Sequence, residues 1–90
     1  MIRRIDARTF ELRDGVWTDA RFRAGMETII IKPYSKAYFD LLNQLPELRA
    51  TFALGNRVIV VGKSLAISLD DAKGAEDLSD AMRKSVARGW

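Results

Sequence analysis

Apolar positions along the chain fall into short alternating runs on either side of a helical middle, and this pattern predicts the elements. Ile2 to Ile5 reads as a short strand, followed by a turn at Asp6-Ala7-Arg8. Thr9 to Leu12 and Val16 to Phe22 alternate with period two around Asp14-Gly15, the signature of a hairpin. A three-residue loop, Arg13-Asp14-Gly15, with Gly15 in a left-handed bulge position, pairs Leu12 with Val16 and Phe10 with Thr18. That register gathers Phe10, Leu12, Val16, Ala20 and Phe22 on one face and turns Trp17 to the other. Glu27 to Lys32 resumes the β pattern, and its three consecutive isoleucines predict a central strand buried on both faces. Val58 to Val61 reads the same way. Gly62-Lys63 then matches a two-residue type II′ turn that returns the chain through Ser64 to Leu69.

Between these arms, Lys32 to Gly55 predicts two short helices. Ser35 is placed to cap the first, along which Tyr38, Leu41, Leu42 and Leu45 recur at helical spacing. Pro46 ends that helix and suits the start of a second, which carries Leu48 and Phe52 four residues apart and stops at Gly55. After a polar turn that begins at Asp70, an amphipathic helix runs from Gly74 to Trp90 with Leu78, Met82 and Val86 on one stripe. Its acids crowd the start and its bases the end, complementing the helix dipole. The sum is an α+β fold in one domain spanning 1–90. Residues 1–69 form a β-meander and a β-hairpin packed on the helix pair, and 70–90 a C-terminal helical extension. Phe10, Leu12, Ile30, Leu42, Leu45, Phe52, Val58, Val60 and Ile67 are the expected core.

Composition narrows the function classes. The chain is 48% apolar and 30% charged, ordinary for a globular domain. Its net charge of +3 is dispersed: residues 1–25 carry six arginines against four acids, and 70–90 carry four bases against five acids. Nucleic-acid binders concentrate their cations, so nucleic acid is not the expected partner. The longest apolar run, Val58 to Val61, is far short of the ~20 residues of a membrane span, and no apolar block follows Arg3-Arg4 as a signal peptide would require. Histidine and cysteine are absent, which removes disulfides, the usual nucleophile–base pairs and the usual zinc ligands. Neighbouring Ser–Lys pairs diverge in regular structure. Gly62-Lys63-Ser64 lacks the upstream glycine of a phosphate loop, and Asp70, Asp71, Glu76, Asp77 and Asp80 lack calcium-loop spacing. Tyr34, Tyr38 and Phe39 read as core aromatics beside a helix cap. No catalytic residue, metal site or cofactor is expected.

Several segments, in this order, resemble a known family: Thr9-Phe10, Arg13 to Asp19 (RDGVWTD), Ile29 to Ser35 (IIIKPYS), Ala37 to Leu42 (AYFDLL), Leu45 to Leu48 (LPEL), Phe52 to Gly55 (FALG) and Arg57 to Val61 (RVIVV). Together they resemble a C-terminal module that follows the von Willebrand factor A domain in bacterial proteins of the inter-alpha-trypsin-inhibitor-like type. The resemblance spans roughly 2–69. It implies an accessory, non-enzymatic domain of an extracytoplasmic or membrane-associated protein. That family's metal-ion-dependent adhesion motif belongs to the A domain, so the resemblance implies no metal site here.

The expected function is therefore a non-enzymatic accessory or protein-interaction domain that contacts a partner protein or the rest of a parent chain. The alternative is a module that binds anions, nucleic acid or a membrane surface through its N-terminal arginines. A sheet of this size leaves an edge strand open unless something covers it. Trp17, turned away from the buried side, together with Leu78, Met82, Val86 and Trp90 of the last helix, forms the candidate interface, with a weak homodimer as one outcome.

Overall fold

A computed structural model describes residues 1–90. Six strands form one mixed sheet: β1 (Ile2–Ile5), β2 (Arg8–Arg13), β3 (Val16–Asp19), β4 (Thr28–Ile31), β5 (Val58–Val61) and β6 (Ala66–Leu69). The spatial order is β1-β2-β3-β5-β6-β4, with β3·β5 and β4·β6 parallel and the other pairs antiparallel. Three helices, α1 (Lys36–Gln44), α2 (Leu48–Phe52) and α3 (Asp80–Gly89), complete an α+β domain. Their buried side chains join one core with Phe10, Ile29, Ile31, Val58, Val60, Ile67 and Leu69 of the sheet. The helices therefore cover a single face.

The β2–β3 hairpin differs from the register expected of it. It turns on two residues, pairing Arg13 with Val16, Leu12 with Trp17 and Phe10 with Asp19. Asp14 (φ 50°) and Gly15 (φ 79°) are both left-handed, the type I′ geometry whose twist matches that of the flanking strands. The apolar pattern alone favours the bulge, because a two-residue turn at Asp14-Gly15 sets a carboxylate opposite Phe10 and mixes the faces. The structure accepts that carboxylate and satisfies it, as shown below. Trp17 consequently faces the helices and packs against the core, while Leu12, near the edge, stays 39% exposed.

Other expectations shift for similarly local reasons. β4 lies at the sheet's edge rather than its centre, and because side chains alternate on a sheet covered on one face, Ile29 and Ile31 reach the core while Ile30 points to the helix-free face, 37% exposed. Segment 20–27 carries the chain from β3 past the ends of β5 and β6, with the Ala66 N–H donating to the Glu27 carbonyl at 2.8 Å. The β5–β6 loop spans four residues, Gly62 to Leu65, closed by a 2.8 Å hydrogen bond from the Gly62 N–H to the Leu65 carbonyl. Ser35 caps α1 as expected, accepting from the Tyr38 N–H at 3.3 Å. In α1 it is Ala37, Tyr38 and Leu41 that are fully buried, while Leu42 and Leu45 pack around the rim of the core.

Residues 70–90 contribute Leu78 and Val86 to the core, with Met82 and Trp90 packed against it. The helix starts at Asp80, capped by Ser79, six residues later than periodicity suggested. The segment before it is held in extended form, because Ala75 bridges Ile31 on the outer edge of β4. Here the Lys32 N–H donates to the Ala75 carbonyl at 2.9 Å and the Ala75 N–H to the Ile30 carbonyl at 3.0 Å. The C-terminal end of α3 seats on the β5–β6 loop, whose Ser64 and Lys63 N–H groups donate to the Gly89 and Trp90 carbonyls at 2.8 and 3.2 Å. Otherwise unpaired groups of a helix end and a loop thus satisfy one another. Asp40 of α1 accepts from Lys36 at 3.0 Å and from Arg83 of α3 at 3.3 Å, clamping the two helices. These contacts, the Lys36 hydrogen bond first, hold its carboxyl below the ordinary aspartate range.

Two outcomes follow from this docking. A Cβ at Gly89 would lie 2.3 Å from Cδ2 of the buried Leu65. Gly89→Ala should therefore destabilise by about 1–3 kcal/mol in urea unfolding, although alanine in a helix normally stabilises relative to glycine. An unchanged or raised midpoint would show that α3 does not seat this closely. For Asp40, a folded pKa below the unfolded one means a contribution present above about pH 4 and lost as pH falls through the folded value. The stability difference between the native chain and Asp40→Asn should be present at neutral pH and close on acidification. A difference independent of pH would contradict the clamp.

Candidate interaction edge

The five residues proposed as an interface from sequence are not surface groups acting together. Leu78 and Val86 are buried core residues, and Trp17, Met82 and Trp90 pack against the same core. The stripe of α3 is narrow because it needs to cover only its own sheet. Trp90 is held on both sides: the Arg8 guanidinium lies over its ring at 5.0 Å, and its indole N–H donates to Glu47 at 3.2 Å.

Arg8 belongs to the main polar cluster of the molecule, built around Asp19 at the end of β3. Asp19 is only 1% exposed. Its Oδ1 accepts from the Arg21 backbone N–H at 2.9 Å, an Asx turn that peels the chain off the sheet. Its Oδ2 accepts from the Val61 N–H at 2.9 Å, taking the place of the backbone carbonyl that β3 no longer offers β5. Arg8 and Arg21 flank the carboxylate at 3.7 and 3.6 Å. Both also donate to the Val61 carbonyl. With both oxygens and both cations satisfied, the cluster fastens strands rather than presenting a reactive group.

A second charged site is an open cleft of about 430 Å³ lined by Arg57, Asp70, Asp71, Ala72 and Lys73. Asp70 folds back on its own turn, accepting from the Lys73 and Ala72 N–H groups at 3.0 and 2.9 Å. These bonds, that from Lys73 first, lower its pKa and keep it ionised. The two cations of the cleft are matched by two acids, so it offers no net charge to a ligand. No group of three carboxylates converges anywhere on the chain.

Two surfaces were not foreseen from the sequence. One is aromatic: Tyr34 (64% exposed) and Phe39 lie at the surface on either side of the buried Tyr38, ring centroids 5.1 and 5.0 Å away. Tyr34 takes φ 61°, the third position of a turn closed by the Ser35 N–H on the Lys32 carbonyl, so its backbone conformation directs the ring outward.

The other is the outer edge of β1. Met1 accepts from the Leu12 N–H, which sets the alternation of the β1–β2 ladder. Arg3 and Ile5 then exchange hydrogen bonds with Phe10 and Arg8, and the N–H and C=O groups of Ile2 and Arg4 point away from the sheet. No loop or helix hydrogen-bonds to that side, in contrast to the β4 edge, which Ala75 bridges. Ile2 is 64% exposed, and Arg3 and Arg4 are exposed beside it. Arg3 lies over the Trp17 ring at 5.7 Å. The signal for this edge was present in the residues: a four-residue strand with two adjacent arginines is how natural sheets guard a free edge.

Comparison with family models, with curated proteins and with solved structures gives no match. No helix is long and apolar enough to cross a membrane.

The Asp19 cluster yields a direct outcome. Asp19→Asn keeps the shape but leaves one acceptor oxygen for two N–H donors, so one donor faces an amide N–H₂. Stability should fall by about 1–3 kcal/mol, the range for a buried donor left without a partner. Urea unfolding of the native and substituted chains measures it; equal midpoints would mean that the carboxylate does not hold the β3–β5 junction.

Proposed function

We propose that this chain is a non-enzymatic protein-interaction domain whose working surface is the free edge of β1, where an extended segment of a partner adds as a seventh strand. The observation that carries the reading is the row of outward N–H and C=O groups at Ile2 and Arg4 on an edge that nothing covers. Main-chain groups of this kind recruit extended peptides in known strand-addition complexes. The charged residues that do come together, Asp19 with Arg8 and Arg21 and Asp40 with Lys36 and Arg83, are engaged in fastening the fold. A role as an accessory module of a larger von Willebrand factor A type protein is compatible with this surface. It draws its support from the segment resemblance alone, and the flanking gene sequence tests it.

The alternative, anion or nucleic-acid binding by the N-terminal arginines, has less to draw on. Arg8 and Arg21 are taken by Asp19 and Arg13 by Glu11, and Arg3 and Arg4 lie on opposite faces of the sheet rather than in one patch. Ile2→Pro separates the readings. It removes one outward N–H, leaves every bond to β2 in place, and suits an edge strand. Titration of the labelled chain with extended peptides, read by amide exchange, should slow the Ile2 and Arg4 amides, and the proline variant should bind more weakly at unchanged unfolding midpoint. Exchange at these two amides unaffected by every peptide would refute the edge. Tight binding of single-stranded DNA, lost between low and physiological salt, would instead establish the phosphate reading.

A further inference from the structure

Granted the edge as the working surface, its side chains determine what adds to it. Neither Arg3 nor Arg4 pairs with a carboxylate of the chain; the ion pairs of the N-terminal region belong to Arg8, Arg13 and Arg21. The two guanidinium groups lie on opposite faces of the sheet, because successive residues of a strand alternate. Arg3 is on the helix side, over Trp17, and Arg4 on the open side with Ile2.

A second copy of the chain is a poor occupant. Two antiparallel β1 strands can use both outward-facing residues only in even registers. Matching Ile2 with Arg4 of the other copy forms hydrogen bonds at both, and it sets Arg3 directly opposite Arg3. Sliding by two residues one way sets Arg4 opposite Arg4, and the other way joins the strands at the Ile2 pair alone. Like charges directly opposite destabilise a strand pair, so self-association is opposed in the one register that uses both outward-facing residues of each copy.

We propose that the β1 edge selects an antiparallel strand carrying two consecutive acidic residues followed by an aliphatic one. In an antiparallel addition the incoming chain meets Arg4, then Arg3, then Ile2. The first acid lies opposite Arg4 in a hydrogen-bonded pair, on the open face. The second lies opposite Arg3 on the helix face, in the pair without hydrogen bonds, where side chains come closest. The aliphatic residue lies opposite the exposed Ile2 and is bonded to it through both backbone groups. Two acids in succession reach both faces, which is what arginines at adjacent positions require. The charges that exclude a second copy thus become the contacts that admit this partner.

The test uses the full chain and three fluorescein-labelled, threonine-rich peptides that differ only at their centre: Glu-Glu-Val, Gln-Gln-Val and Lys-Lys-Val. Anisotropy at low salt should show the acidic peptide binding about threefold or more tighter than the glutamine one, as two cross-strand ion pairs provide, and the lysine one weakest. Arg3→Glu/Arg4→Glu should invert the order. Should that variant unfold, Arg3→Gln/Arg4→Gln serves instead and should abolish the preference. Equal binding of the acidic and glutamine peptides, with the Ile2 and Arg4 amides still protected, overturns the acidic selectivity and leaves strand addition standing. Absence of protection with all three peptides overturns strand addition itself, and a preference that survives both variants overturns the role of the two arginines.

Discussion

A carboxylate shut away from water at the end of a central strand is the constraint on which this fold turns. An ionised group at 1% exposure is untenable unless its oxygens are engaged, and Asp19 finds that engagement only if several segments arrive together. β3 must end where its own chain can turn back to supply the Arg21 N–H. β5 must lie parallel to it with Val61 in line, and β2 must place Arg8 alongside. The tight register of the β2–β3 hairpin, the crossing of segment 20–27 and the position of β5 are thus mutually dependent. A single slip in the hairpin would turn the carboxylate to the other face of the sheet, away from these donors.

The consequence extends to the other end of the chain. Arg8, positioned by Asp19 and by the Val61 carbonyl, also lies over the Trp90 ring, and so links the sheet's polar junction to the final residue. Around that ring the packing admits no extra atom, since a Cβ at Gly62 would meet Trp90 at 2.6 Å. Gly62 does not take the left-handed conformation a type II′ turn needs, so its small size serves close approach rather than turning. That is why the last helix behaves as part of the core although the resembling segments end before it.

The errors in reading the residues alone share one origin. Each apolar pattern gives a local preference, and the sheet order that decides which face is covered is set by contacts distant in the chain. Thus Ser35 was legible as a cap, because its partner Tyr38 is three residues away. The three isoleucines of β4 looked central because nothing local reveals that the strand has a neighbour on one side and only Ala75 on the other. Trp17 looked outward-facing because the apolar-face rule counts Asp19 as a fault, and the donors that make Asp19 acceptable lie two and forty-two residues on. With the tight register Trp17 moves to the helix side, while Leu78 and Val86 are in the core for a separate reason, the docking of α3. The β1 edge went unread because two arginines on a short strand look like ordinary solvated surface until the strand's position at the rim is known.

That position also changes what the arginines mean. On a central strand they would need buried partners; at a rim they cost little and act on whatever approaches. Elsewhere on this chain open backbone groups are covered: Ala75 bridges β4, the end of α3 accepts from the β5–β6 loop, and the Asp19 carboxylate stands in where β3 runs out of ladder. β1 carries neither lid nor proline, and its Ile2 side chain is left in water. A protein that needed only protection from association could bury that isoleucine or replace it with a charge. Keeping an exposed aliphatic residue next to two cations, on the same four-residue strand, repels copies of itself while leaving both backbone and apolar contacts for a chain of opposite sign. On the proposed reading, guarding and recognition rest on the same two side chains.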